Sequence, residues 1–184
     1  MAKKCFIREL LEMRYTAHNH RHNFAVWAAA RATQRGFTDV KTLKCALEVS
    51  GVESFARRPI RLGQFNDQHR VWCMRIMNNI EQGTGKYTSY GRAAKLVNTY
   101  LKTMLVLRDP MSKAAAVIHP PIDRILLRNI ATQANIEEST KRYLRGINWT
   151  SLEEGSYFEL ICVLREINGN QPFWMIEEYW TVTN

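Results

Sequence analysis

The run GTGKYTSYGRAAKLVNTYLKTMLVLRDPMSKAAAVIHPPIDRILLRNI, residues 83–130, decides how the chain folds and what it presents. Gly83, Gly85 and Gly91 mark a turn, and a helix carrying Lys95 in its first turns opens from it. Farther on, Pro120-Pro121 fixes the chain direction ahead of another helix, with Asp123 on its first turn. Apolar residues recur at helical spacing, and no strand alternation interrupts them. Two helix starts are predicted, each offering one charged side chain.

The same periodicity extends both ways and predicts an all-α fold, a single domain over residues 1–184 of about eight to ten helices. Phe6, Ile7, Leu10 and Leu11 share one face of a first helix. His18–Asn23 reads as a polar turn before an Ala-rich helix, Phe24 to about Arg35, that stops at Gly36. Thr38 caps the next helix, which turns Val40, Leu43, Ala46 and Leu47 inward and ends at Gly51. Residues 52–64 read as a basic connector, and a longer helix follows from about Asn66 to Gln82. Helices are then expected from Arg92 to about Leu107, from Pro121 onward, and from Ile136 to Leu144. Thr150–Glu153 has capping-box spacing ahead of Tyr157, Leu160, Ile161, Leu164 and Ile167. Asn170 caps a last short helix with Pro172 near its first position. Trp27 and Trp72 fall at core positions of their helices.

Composition narrows the function classes. The chain has 184 residues, enough to bury a full core, and 46% of them are hydrophobic, which excludes a disordered chain. A net charge of +9 suits a polyanionic partner, or a merely basic protein. Cys5, Cys45, Cys73 and Cys162 lie far apart, without a Cys-x-x-Cys pair, so neither a zinc ribbon nor an iron–sulfur loop is expected, and no cofactor is. No secretory signal is read at the N-terminus, and free thiols in a reducing cytoplasm, a bacterial cytosol, are the expectation. No apolar run approaches the ~20 residues of a membrane span, so no membrane partner is expected.

The run from Asn66 to Leu107 has the pattern of a helix–hairpin–helix: an amphipathic helix, a short glycine turn and a second helix with an apolar face. In that motif successive N–H groups and the helix dipole face a phosphate, which would place Gly85, Gly91 and Arg92 against DNA. An ordinary helical corner has the same spacing. Lys95 lies at the positive end of its helix, with Arg92 nearby, and both disfavour an ammonium there. In a partly dry pocket its amine becomes an accessible nucleophile; otherwise it is a surface lysine. Lys102, seven residues on, shares the face and is its rival. Asp123 is either a plain helix-start aspartate or the negative charge beside a sugar that becomes oxocarbenium-like as its base leaves.

With those residues in view, the stretch resembles the helix–hairpin–helix/Gly-Pro-Asp superfamily of DNA glycosylases, and most of all its 8-oxoguanine branch. Gly91, Lys95, Pro121 and Asp123 match that family's hairpin glycine, catalytic lysine and Pro-x-Asp helix start. The Lys95–Lys102 helix is similar to that of the archaeal 8-oxoguanine glycosylase, and His119-Pro-Pro-Ile-Asp123 and Trp174-x-Ile-Glu-Glu-Tyr-Trp180 resemble bacterial proteins of the same fold. The second hairpin glycine is missing, Arg92-Ala93 standing in its place, and Lys95 and Asp123 are 28 residues apart, nearer the archaeal spacing. The resemblance implies a flipped nucleotide, attack by Lys95 on its sugar carbon with a Schiff base as product, Asp123 stabilising the cationic sugar, and strand nicking by β-elimination.

The flanks supply further candidates. His18, His20 and His22 have no carboxylate near them in sequence, so a DNA-facing edge or pocket rim, with His22 on DNA and His20 in a base pocket, is preferred over a metal site. Trp174, Glu177 and Trp180 suit a base sandwich with a carboxylate on its N–H edge, or simply a docked C-terminal helix. Arg57 and Arg58 are phosphate contacts or solvated residues. The leading expectation is a DNA glycosylase, with or without lyase activity, removing an oxidised or otherwise modified base from duplex or single-stranded DNA, in repair or in anti-phage defence. No obligate protein partner is expected. The rivals are a non-catalytic helix–hairpin–helix DNA-binding module and a helical protein–protein adaptor.

Overall fold

Residue spacing that reads as helix throughout is helix in the computed structural model, which describes residues 15–181; the expected first helix around Phe6–Leu11 lies outside them. The elements are α1 (Ala17–Gln34), α2 (Val40–Ser50), α3 (Val52–Arg57), α4 (Phe65–Thr84), α5 (Tyr90–Leu101), α6 (Lys113–Val117), α7 (Arg124–Ile130), α8 (Glu138–Gly146) and α9 (Glu154–Asn168). Short 3-10 segments at Leu62–Gln64, Trp149–Ser151 and Phe173–Tyr179 join them, and α5 runs on into a π-helical turn, Lys102–Val106. Among the described residues there is no strand, and the protein is a single all-α domain.

Several boundaries differ from expectation, each for a local reason. His18–Asn23 is helix, because Thr16 caps α1 by accepting from the Asn19 N–H at 3.2 Å. Asp39, not Thr38, caps α2, through Thr42 N–H at 2.8 Å. Residues 52–57 fold as α3 because Val52, Phe55 and Ala56 reach the core. Asp123 caps α7 from outside the helix instead of riding on its first turn. The capping box at Thr150 does not form: Glu153 is the N-cap of α9, and the Thr150 hydroxyl bonds Asn148. At the C-terminal end Pro172, not Asn170, precedes the last segment. Trp72 is in the core as expected, but Trp27 is 53% exposed.

α5 is the central element. It is buried on nearly every side, as an apolar helix enclosed by neighbours must be. Ala93 and Ala94 on α5 and Ala25, Ala29 and Ala30 on α1 are all buried, and these short side chains let the two helices approach closely. That closeness explains Trp27: an indole does not fit between them, so the alanine stripe of α1 turns inward and the rings turn out. α4 packs on the other side of α5, with α2 between α4 and α1.

Between α4, α5 and α9 the core holds a connected set of hydrogen-bonded polar groups. His69 lies 2.9 Å from the Tyr90 hydroxyl and 3.0 Å from Asn98 Oδ1. His119 lies 3.0 Å from the Tyr157 hydroxyl and 3.1 Å from Asn66 Oδ1. Asn98 donates to Tyr157 at 2.9 Å and to the Pro120 carbonyl at 3.0 Å. The last bond ties the Pro120-Pro121 turn to α5, and so fixes where Asp123 stands relative to Lys95.

Candidate functional site

Lys95 and Lys102 point the same way from α5 because seven residues are nearly two helical turns. Both reach a cavity of about 300 Å³ lined by Ala32 of α1, Lys95, Thr99, Lys102 and Thr103 of α5 and its extension, Pro121, Asp123, Glu177 and Trp180. That volume is at the lower end of small-ligand sites.

Lys95 is 8% exposed, and its Nζ donates to Asp123 Oδ2 at 3.3 Å. A tight charge-assisted bond is about 2.7–2.9 Å, so the amine is held near the carboxylate without being locked on it. The same Nζ lies 4.3 Å from the centre of the Trp149 ring. Burial pushes the lysine below its usual pKa range, and the Asp123 charge and hydrogen bond pull it part of the way back. Asp123 has both oxygens engaged. Oδ1 accepts from the Leu126 N–H at 3.0 Å, and Oδ2 also accepts from Trp180 Nε1 at 2.9 Å. It is therefore a helix cap and a member of the cavity at once.

A second amine–carboxylate pair, Lys102 with Glu177, faces the same space. Burial raises the Glu177 carboxyl above its usual range, and the Lys102 ammonium opposes that rise. Lys102 Nζ stands 5.7 Å from the Trp180 ring centre. Lys102 also opens the π-helical turn, whose Leu107 N–H bonds back to the Lys102 carbonyl at 3.0 Å; such turns recur at functional sites.

Gly91 is placed differently from the expected hairpin glycine. It lies inside α5 at an ordinary helical φ, so conformational freedom is not its role. A Cβ there would sit 2.1 Å from the Trp149 carbonyl oxygen and 3.0 Å from Leu152 Cβ. Its N–H donates to the Leu152 carbonyl at 2.9 Å, and Ser89, the cap of α5, donates to the Thr150 carbonyl at 2.7 Å. The 149–152 segment is thereby pressed onto the start of α5, and this brings Trp149 over Lys95. The N–H groups expected to clamp a phosphate are spent inside the protein. The α4–α5 corner does not present them to a ligand.

The other sequence candidates disperse. Gly85 ends α4 in an exposed left-handed turn, φ 67°. Arg92 stacks on the Phe37 ring at 4.4 Å. Arg57 pairs with Glu53 at 2.6 Å, and Arg58 is exposed nearby. Trp174 donates to the Pro110 carbonyl at 3.2 Å, outside the cavity. His22 meets the Tyr100 hydroxyl at 2.9 Å, while His20 faces a different groove. The histidines do have a carboxylate beside them: Glu53 of α3 lies 3.7 Å from His18 and 3.8 Å from His22. Arg57 already supplies the cation there. Among the described residues no three-ligand metal cluster forms, and no helix is long and apolar enough to cross a membrane.

Lys95, Lys102, Asp123, Glu177 and Trp180 thus converge, while Trp149, Thr99 and Thr103 join them without having been singled out. Thr99 and Thr103 were readable as one and two helical turns after Lys95. Trp149 had no such signal, since the long-range contacts of Ser89 and Gly91 bring it there. Fold and site define a helical protein with a largely buried amine–carboxylate pair facing a cavity. Set against family models, curated proteins and solved structures, the chain matches none of them.

Proposed function

We propose that this protein is a DNA glycosylase that removes a modified base, with Lys95 as nucleophile and Asp123 as its electrostatic partner. The observation that carries the reading is the Lys95–Asp123 pair: an amine that burial drives toward its neutral form, 3.3 Å from a carboxylate, at the wall of a cavity. The neutral Nζ forms a bond to the sugar C1′ as the C1′–N bond breaks, its electron pair leaving with the base. The proton shed by the new ammonium passes to Asp123 or to water, and opening of the C1′–O4′ bond leaves a Schiff base. While positive charge gathers on the sugar, the Asp123 carboxylate stands opposite it. Trp180 offers an aromatic face and Lys102–Glu177 a donor–acceptor pair to the extruded base.

The lysine's burial and its carboxylate partner argue against the rival in which Lys95 is a simple backbone contact, because its amine already faces Asp123 inside the cavity. The spent N–H groups of α5 argue against a hairpin clamp as the basis of binding. Overall charge still favours DNA, whether the modified base arises by damage or belongs to foreign DNA.

Borohydride trapping tests the reading. Duplexes and single strands carrying one modified base each, 8-oxoguanine first, are incubated with protein and reductant. A covalent band that Lys95→Gln abolishes, and Lys102→Gln retains, is the expected result. A band that survives Lys95→Gln transfers the role to Lys102 or the terminal amine. Absence of any adduct and of any released base removes the glycosylase reading.

A further inference from the structure

Thr103 forms a wall of the catalytic cavity on one side and of a second groove, of about 500 Å³, on the other. Tyr15, His20, Arg21, Phe24 and Leu107 complete that second groove along the outer face of α1. We propose that it is a nucleotide subsite: it takes the neighbour, on the same strand, of the nucleotide that enters the cavity, with that neighbour's base against Phe24 and its phosphate at Arg21. The inference rests on the glycosylase reading, since it needs a strand leaving the cavity.

Three observations converge on this occupant. The first is continuity. A nucleotide seated in the cavity hands its chain to whatever adjoins the cavity wall, and across Thr103 lies this groove.

The second is the aromatic surface. Phe24 is 53% exposed and Tyr15 60% exposed, and Phe24 is braced by Trp27 at 5.8 Å between ring centres. The Tyr15 hydroxyl accepts from Asn23 Nδ2 at 3.1 Å and lies 3.3 Å from His20 Nδ1, so the wall is held in place. Every base has a π face that such a ring can stack on.

The third is charge. α1 holds Arg21, Arg31 and three histidines and not one Asp or Glu, and among the described residues no carboxylate lines the groove. The catalytic cavity beside it holds two. Each of those two is paired with a lysine, so the cavity's cations are already spent on carboxylates while the groove offers Arg21 to a phosphate, which is the partition a flipped nucleotide and its flanking backbone require.

The subsite makes the affinity depend on the neighbouring base. The probe is a single-stranded oligonucleotide with one tetrahydrofuran abasic analogue, compared with oligonucleotides in which the 5′ or the 3′ neighbour is abasic as well. Binding to the full-length protein is read by fluorescence anisotropy. Loss of the neighbour on one side should weaken wild-type binding about five- to a hundredfold. Phe24→Ala should bind the parent oligonucleotide that much more weakly, and the two losses should not add. Phe24→Trp should retain affinity. Arg21→Gln should lower the slope of log affinity against log salt by about 0.7.

Equal affinity of Phe24→Ala and wild type, or fully additive losses, would overturn the subsite. A lowered melting temperature in Phe24→Ala with unchanged affinity would also overturn it, assigning the groove to packing within the chain. Failure of the wild type to bind any of these oligonucleotides would instead strike the glycosylase reading itself.

Discussion

At the scale of the residue, the site reduces to the protonation of one amine. If Lys95 is the nucleophile, as proposed, it attacks only as the neutral form, so adduct formation should rise with pH through its lowered pKa. The Asp123 charge raises that pKa against the larger effect of burial. Asp123→Asn removes the charge and leaves the burial. The ascending limb of the pH–rate profile should therefore shift to lower pH while the plateau falls by about two to four orders of magnitude, the scale of one preorganised electrostatic partner. Single-turnover trapping at a series of pH values measures both. A limb that moves up, or a plateau that holds, would remove Asp123 from the mechanism. The positions of these two residues were legible in the sequence because Asp123 stands at a helix start and Lys95 within the first turns of its helix, where local chemistry sets orientation. Trp149 was not readable. Trp27 was misread as core because periodicity marks which face is apolar, but not how near the next helix comes.

At the scale of the element, the contact between Gly91 and the 149–152 segment decides whether Lys95 has its indole partner. Alanine in place of glycine normally steadies a helix by up to about 1 kcal/mol. At Gly91 it would drive a Cβ to 2.1 Å from a backbone carbonyl, which cannot swing aside as a side chain can. Overpacking of that kind costs about 1–3 kcal/mol, so Gly91→Ala should lower the unfolding free energy despite the better propensity. It should also slow trapping by displacing Trp149. Denaturant unfolding and tryptophan fluorescence read the two effects, and a variant as stable as wild type would show that the segment is not pressed onto α5. The helices themselves were legible: α4 was expected over Asn66–Gln82 and spans Phe65–Thr84. The hairpin clamp was not, because glycine spacing cannot say whether an N–H faces solvent or the protein's own Leu152 carbonyl.

At the scale of the whole molecule, two neutral histidines hold together the helices that carry the site. Each presents Nε2 to an asparagine oxygen, which only accepts, so each ring carries its proton on Nε2 and receives a tyrosine hydroxyl at Nδ1. The donors then run one way. His69 donates to Asn98, Asn98 to Tyr157, Tyr157 to His119 and His119 to Asn66. A second proton on either ring would set a donor against the tyrosine hydroxyl and bury an unpaired charge. Burial accordingly drives the His69 pKa down to about 4 and that of His119 well below its usual value, with Arg165 adding to the second effect. Unfolding returns both to about 6.5, so between these values the unfolded chain binds more protons and stability rises with pH. Read downward, stability present above pH 6.5 should be lost as the pH falls toward 4, on the order of 3 kcal/mol from His69 alone. Asp39 and Glu53, whose folded pKa values are lowered, lose their contributions only at the acid end of that range and below it. Glu177, raised by burial, acts in the opposite sense and His18, lowered by burial, in the same sense, so the share of the buried ring is read from melting temperatures between pH 7 and pH 5 by difference from a variant. His69→Gln, which does not titrate, should be less stable at pH 7 but flatter across the window. A His69→Gln curve as steep as that of wild type between pH 7 and pH 5 would mean that the ring accepts a proton in the folded state, and the one-way chain from Tyr90 to Asn66 would have to be abandoned.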